Sequence, residues 1–232
     1  MAVTVIGHRG AAGVKPENTL ASFRYAIGLG VDAVECDVHL SYDGHVIVMH
    51  DETVDRTTDG TGLVAELSLA TIRGLDAGDG QNVPTLEELL AEVRGRCRLL
   101  CELKADGVEG PAVEAVLARG MEKDVTFISF SLERLAQVKR RGGQLRIGAI
   151  LAAPRSADID KAAGLGAELV GLQYKRVSAA AVERVRKAGM LANVWTPNQL
   201  PEMQAMIALG ADAITTDRPD ILLDYLNQQG QR

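Results

Sequence analysis

The sequence predicts an α/β protein of the (β/α)8 TIM-barrel class. Three observations carry this. Eight short runs are rich in Val, Ile and Leu, a helical pattern follows most of them, and the chain has 232 residues in which to place them. Apolar runs without strict alternation suit parallel strands covered on both faces. Barrels of this class close at roughly 200–250 residues as one domain, so a single domain over 1–232 is expected. A doubly wound open sheet is the competing arrangement. Eight repeated units fit closure better, and no Gly-x-Gly-x-x-Gly follows the first strand.

The expected strands are 3–7, 33–40, 98–103, 125–129, 145–149, 169–172, 191–196 and 213–216. Helices are expected at 19–29, 85–93, 108–119, 132–141, 157–165, 178–188, 201–209 and 219–227. Thr85 and Glu88 have the spacing of a capping box, in which each side chain satisfies the other's backbone donor. Pro201 and Pro219 suit first-turn positions. Gly30-Val31-Asp32, Gly166-Ala167-Glu168 and Gly210-Ala211-Asp212 repeat one form: a glycine to end a helix, then an acid leading into a strand. Residues 51–83 break the rhythm, with no helix of ordinary length and the polar run Asp55-Arg56-Thr57-Thr58-Asp59-Gly60. Stretches of this length are usually functional or small insertions. Here an insertion after the second strand would lie over the catalytic face.

Composition narrows the function classes. The net charge of −6 argues against a nucleic-acid partner or a membrane-surface binder. No apolar run reaches the length of a membrane span, and residues 1–10 read as the first strand rather than a secretory leader. Cys36, Cys97 and Cys101 fit neither a disulfide framework nor a zinc site, and read as small core residues in a reducing cytoplasm.

All four histidines, His8, His39, His45 and His50, fall within the first 50 residues. His8 ends the first strand, the end where barrels carry chemistry. His50 ends the short extended run 46–49. Glu35 and Asp37 lie two apart on the second strand and so share one face. Glu102 adds a third acid near the end of the third apolar run. Carboxylates gathered inside a barrel repel and lose solvation, which a cation remedies. Three carboxylates without a cysteine ligand favour Mg2+ or Ca2+ over zinc. Lys104 shares the face of Glu102, and the Arg9 fork suits phosphate oxygens. Such a set suits attack on a phosphate ester.

These residues fall in segments with a known resemblance. His8-Arg9-Gly10, Pro16-Glu17-Asn18-Thr19, Glu35-x-Asp37, His50-Asp51, Asp55-Arg56-Thr57-Thr58, Glu102-x-Lys104, Val194-Trp195-Thr196 and Thr216-Asp217-Arg218-Pro219 resemble, in order, the glycerophosphodiester phosphodiesterase family. The resemblance spans the chain. It implies a barrel with a small insertion after the second strand. It also implies hydrolysis of glycerophosphodiesters, such as glycerophosphocholine or glycerophosphoethanolamine, to sn-glycerol 3-phosphate and an alcohol. His8 and His50 match the acid/base pair, and Glu35, Asp37 and Glu102 the ligands of one divalent cation. Arg9 and Lys104 resemble phosphate-contacting positions. Glu17 and Asn18 match a segment near the site or serve only to cap the next helix, and Trp195 either walls the glycerol pocket or belongs to the core. His45 departs from the family's usual proline or small residue, and His39 stands at a variable position. The form looks like the cytoplasmic bacterial members, with a small-molecule substrate, no membrane insertion, and a monomer or small homo-oligomer.

Three other readings stay open at this stage. A metal-dependent barrel aldolase or lyase would use similar acids but needs no histidine pair. A non-catalytic binder needs none either. A lysophospholipase D-like enzyme would need an apolar surface for an acyl chain.

Overall fold

The structure is a computed structural model that describes residues 3–232. The part of the N-terminal reading that falls on Met1 and Ala2 lies outside the described residues. Eight parallel strands close on themselves: β1 (Thr4–Gly7), β2 (Ala33–Leu40), β4 (Arg98–Leu103), β5 (Val125–Ser129), β6 (Arg146–Leu151), β7 (Leu169–Gln173), β8 (Leu191–Trp195) and β9 (Ala213–Thr216). β1 pairs with both β2 and β9, which shuts the barrel. The eight expected helices lie outside it: α1 (Leu20–Leu29), α3 (Leu86–Val93), α4 (Glu109–Leu117), α5 (Leu132–Arg141), α6 (Ser156–Gly164), α7 (Ala179–Lys187), α8 (Leu200–Leu209) and α9 (Pro219–Gln228). The Thr85–Glu88 capping box forms at the start of α3. Gly30 and Gly210 end α1 and α8 at φ 85° and 91°, a left-handed turn that glycine makes without a Cβ penalty.

Packing follows the two faces of the strands. Outward residues such as Val34, Cys36, Cys101, Phe127 and Ile147 join the helices in one large core. Inward residues Ile6, Ala33, Leu100, Ile128, Ile150, Leu169 and Ala213 fill the barrel as a second apolar cluster, with Trp195 against it. That filled interior is a floor, so polar inward residues near the C-terminal strand ends sit above it rather than within it.

Between β2 and α3 the chain departs from a simple βα unit. β3 (Val46–Val48) turns back antiparallel on β2, with Val38 opposite Val48. A single turn of 3-10 helix (Val64–Glu66) and the five-residue α2 (Leu69–Arg73) follow. Ile47, Met49, Val54, Val64, Ile72, Ala77 and Val83 form a small separate core beneath them. Periodicity missed α2 because five residues hold little more than one helical turn.

Candidate active site

Strand register gathers the acids. On adjacent strands Asp37 lies beside Glu102, where neighbouring chains are about 4.8 Å apart. Glu35 precedes Asp37 by two and shares its face. A carboxylate oxygen of each of the three lies within 4.8 Å of one from the other two. All three residues are buried, at 3%, 1% and 8% exposure for Glu35, Asp37 and Glu102.

That crowding divides their protonation. Burial first, then the charges of Asp37 and Glu102, lift the Glu35 carboxyl well above the usual range. Burial and Asp37 push Glu102 up to about 7, against the opposing pull of Lys104. Burial acts the same way on Asp37, but the cations Arg9 and Lys104, with His50 and His8, outweigh it and hold that carboxyl low. Asp37 Oδ1 is buried without a hydrogen-bond partner. Three mutually close, hard oxygen donors, one with an unsatisfied oxygen, fit a divalent cation of the oxygen-preferring type.

The two site histidines follow different strands, β1 and β3. The His8 amide donates to the Thr216 carbonyl at 2.9 Å, continuing the β1–β9 ladder one residue past β1. This brings His8 Nδ1 to 2.5 Å from Asp217 Oδ1, while Nε2 lies 3.8 Å from Glu35 Oε2. Burial raises the Asp217 carboxyl, but contact with His8 overcomes that and leaves it below its ordinary value. His50 stands after β3, with its carbonyl 3.1 Å from His39 Nε2. Its Nδ1 lies 2.6 Å from Asp51 Oδ1, and its Nε2 lies 3.2 Å from the Lys104 ammonium. His39 is therefore an internal support for the His50 backbone, and His45 is exposed in the β2–β3 turn.

Lys104 Nζ also lies 3.2 Å from Glu102 Oε1 and 3.7 Å from Asp37 Oδ1. Arg9 has φ 47°, a left-handed backbone that costs a non-glycine residue about 1 kcal/mol or more. In that conformation its amide donates to Glu35 Oε2 at 3.0 Å, and its guanidinium reaches Glu17 at 2.8 Å and Asp37 at 3.3 Å. Gly10 follows at φ 85°, where a Cβ would lie 2.5 Å from Ser22 Oγ and 2.6 Å from the Ser22 backbone. Only glycine lets the chain pass that close to α1.

The 16–19 segment divides its work. Thr19 caps α1, accepting from the Ser22 amide. Asn18 Nδ2 donates instead to Asp37 Oδ2 at 3.0 Å, and Glu17 joins Arg9 to Arg56. Both residues thus face the site rather than the helix end.

A cavity of about 160 Å3 opens above the barrel floor. His8, Arg9, Glu35, His50, Glu102 and Lys104 form its charged side; Ile128, Phe130, Ile150, Leu169 and Trp195 form its apolar side. Trp195 both lines the cavity and packs on the interior cluster, and its indole N–H is buried without a partner. Phe130 stands edge-on to it, ring centres 5.8 Å apart, and is half exposed. The site residues expected from sequence thus meet around one cavity, with Asp37, Glu17 and Asn18 directly behind its wall. Sequence reasoning assigned no role to Asp217, Asp51, Arg56 or Phe130. The first two had a usable signal, since each is an acid beside a strand-end histidine or at the C-terminal end of the last strand.

Comparison with known proteins places the chain in a family and matches its fold. The model of the glycerophosphoryl diester phosphodiesterase family matches residues 8–221. A glycerophosphodiester phosphodiesterase of Caldanaerobacter subterraneus subsp. tengcongensis is 34% identical, over 99% of this chain and 100% of the relative. Among solved structures, a glycerophosphodiester phosphodiesterase from Agrobacterium tumefaciens superposes with a TM-score of 0.84 at 31% identity, covering 96% of this chain and 99% of that one. An Oleispira antarctica phosphodiesterase in complex with the product sn-glycerol-3-phosphate does so with a TM-score of 0.89 at 30% identity, covering 98% and 97%.

Proposed function

The chain belongs to the glycerophosphoryl diester phosphodiesterase family and hydrolyses glycerophosphodiesters, and from that premise we propose how its residues divide the work. The substrates are deacylated phospholipid head-group esters such as glycerophosphocholine and glycerophosphoethanolamine, cleaved to sn-glycerol 3-phosphate and the free alcohol. The observation that carries the reading is one cavity bordered by three close buried acids, two carboxylate-backed histidines and two cationic side chains.

Glu35, Asp37 and Glu102 hold one divalent cation, Mg2+ or Ca2+. Once bound it supplies positive charge that stabilises negative charge on phosphate oxygens. Arg9 and Lys104 bind the remaining phosphate oxygens.

The two histidines differ in their neighbours. A neutral His50 that donates from Nδ1 to Asp51 leaves the Nε2 lone pair facing the cavity, where Lys104 donates to it. That is the state of a general base. His8 lies between two carboxylates, Asp217 at Nδ1 and Glu35 at Nε2. With both ring nitrogens facing carboxyl groups in this way, His8 is given the role of general acid. His50 therefore takes the proton of the attacking hydroxyl, and His8 gives one to the departing alcohol.

The apolar floor and the unsatisfied Trp195 N–H suit a small neutral group carrying hydroxyls, the glycerol moiety. A cavity of about 160 Å3 is close to the volume that holds one benzene ring, well short of a long acyl chain. Residues 51–83, as a small insertion, cover the catalytic face of a single 1–232 domain. Three free cysteines fit a reducing cytoplasm. Among the described residues no helix is long and apolar enough to cross a membrane, and the enzyme acts as a monomer or small homo-oligomer.

The test is a panel of glycerophosphodiesters and lysophospholipids with detection of the freed head-group alcohol, and of glycerol 3-phosphate for the deacylated substrates, run with Mg2+, with Ca2+ and with chelator. Alcohol release that needs a metal and favours deacylated substrates is expected. Preference for acylated substrates, or full activity in chelator, overturns the reading.

A further inference from the structure

We propose that Arg56 is a positioning residue that sets both the His50 ring and the Arg9 side chain through the carboxylates of Asp51 and Glu17. This rests on the reading of His50 as a proton-transfer group.

All three guanidinium nitrogens are engaged. Nε and Nη2 donate to Asp51 Oδ2 and Oδ1 at 2.6 and 3.1 Å. Nη1 and Nη2 donate to Glu17 Oε2 and Oε1 at 2.9 and 2.8 Å. Each carboxylate is therefore held by two parallel bonds, which fix its plane as well as its place. The same two carboxylates serve the site. Asp51 Oδ1 faces His50 Nδ1 at 2.6 Å, and Glu17 Oε1 accepts from Arg9 Nη1 at 2.8 Å. The contacts run without a break from His50 through Asp51, Arg56 and Glu17 to Arg9.

The arrangement needs an arginine. A lysine ammonium is a point donor without a fork and cannot fix the planes of two carboxylates at once. Arg56 is itself held from behind, since Val54, two residues earlier, is buried in the small core of this segment and its amide donates to the Gly62 carbonyl at 3.0 Å. Arg56 is half exposed, and exposed ion pairs contribute little to stability. Its effect is expected in the geometry of the site rather than in the fold.

The experiment compares Arg56→Gln, Arg56→Lys, Asp51→Asn, Glu17→Gln, His50→Ala and the double variant Asp51→Asn/Arg56→Gln, at saturating Mg2+, on glycerophosphocholine. Arg73→Gln is the control, because Arg73 pairs with Glu88 at 2.7 Å in the same segment but outside the site. Arg56→Gln is expected to lower kcat about 10- to 100-fold and to raise KM, with thermal midpoint and Mg2+ affinity close to the parent. Asp51→Asn reproduces the kcat loss, Glu17→Gln the KM rise, and Arg56→Lys restores neither. The double variant is no slower than Asp51→Asn. A parent-like kcat in Arg56→Gln, an equal loss in Arg73→Gln, or a double-variant loss equal to the product of the single losses overturns the proposal. A parent-like rate in His50→Ala would instead remove the reading of His50 on which it rests.

Discussion

His8 and Asp217, 209 residues apart in sequence, meet with Nδ1 2.5 Å from Oδ1 because β1 and β9 are the strands that close the barrel. Asp217 is fixed from its other oxygen by Asn198 Nδ2, also at 2.5 Å, so the carboxylate cannot turn away from the ring. The contact fixes which ring nitrogen faces the cavity. Asp217→Asn keeps the shape but loses the carboxylate that faces His8 Nδ1. The expected result is a kcat loss of at least ~10-fold and up to the ~10⁴-fold seen when such a histidine is left in the wrong tautomer. Mg2+ affinity, measured by calorimetry, is expected to stay near that of the parent. An unchanged kcat would show that His8 works without Asp217.

The proposed split between acid and base is separable by leaving group. His8→Ala and His50→Ala should each lose about 10²–10⁴-fold on glycerophosphocholine. A substrate whose leaving group is a nitrophenol needs no proton on departure. It is therefore expected to restore most of the His8→Ala rate and little of the His50→Ala rate. Rescue of His50→Ala instead reverses the two roles.

The barrel was legible because the strands are apolar runs and several helices carry a boundary signal such as Thr85–Glu88 or Pro219. β3 was legible only as the short extended run 46–49, without its antiparallel pairing, and α2 not at all, since five residues are too short to show a period. In the site, the Glu35–Asp37 face was readable from strand parity alone. Its neighbour Glu102 became certain only with the register that sets it beside Asp37. Glu17 and Asn18 were ambiguous because a segment before a helix reads as a cap. The structure gives that role to Thr19 and turns the other two inward. The place of Asp217 at the end of the last strand was readable, but its pairing with His8 depends on barrel closure.

The buried acids make metal-free stability depend on pH. The Glu102 carboxyl is raised from 4.5 to about 7, so the folded state holds its proton more tightly than the unfolded chain does. Its contribution is fully present below about 4.5 and is lost as pH rises through about 7. At about 1.4 kcal/mol per pH unit this amounts to about 3 kcal/mol. Glu35 acts in the same sense, and Asp37, held low by its cations, acts in the opposite one. In chelator, Glu102→Gln should match the parent near pH 4.5 and become the more stable protein above pH 7, by thermal or urea unfolding. Saturating Mg2+ should stabilise the parent, by about 2.7 kcal/mol at a hundredfold excess over Kd, and reverse the order. A stability gap that stays flat across this range in chelator would mean that the acids do not share a buried site.

The same three acids set the expected response of catalysis to metal. Activity should vanish in chelator and return with Mg2+ or Ca2+. Glu35→Ala should be inactive while its far-ultraviolet circular dichroism remains that of the parent, because it removes one of the mutually repelling charges rather than a packing group. Measurable turnover by Glu35→Ala in chelator would separate the cluster from the chemistry.

The last prediction concerns the attacking oxygen. Neither Ser nor Cys lines the cavity. Cys36 and Cys101 face the outer core, and of the two threonines that line the cavity, Thr196 and Thr215, the latter's hydroxyl donates to Asn193 Oδ1 at 3.1 Å. The expected attacking oxygen is the substrate's own or that of water. In a glycerophosphodiester the glycerol 2-hydroxyl is tethered beside phosphorus, so its attack is intramolecular. Such proximity lowers a barrier by up to ~7–11 kcal/mol in ideal geometry. On the proposed roles, His50 takes the 2-hydroxyl proton as the oxygen bonds to phosphorus, and His8 protonates the alcohol as its bond to phosphorus breaks. Water then opens the resulting 1,2-cyclic phosphate to glycerol 3-phosphate, with the histidines exchanging roles. A substrate with hydrogen in place of the 2-hydroxyl is expected to bind with similar affinity, as a competitive inhibitor, and to turn over very slowly. A brief burst of 1,2-cyclic glycerophosphate should be seen by phosphorus NMR when the parent substrate is in excess. Hydrolysis of the 2-deoxy analogue at the parent rate would assign the attack to water and remove the cyclic route.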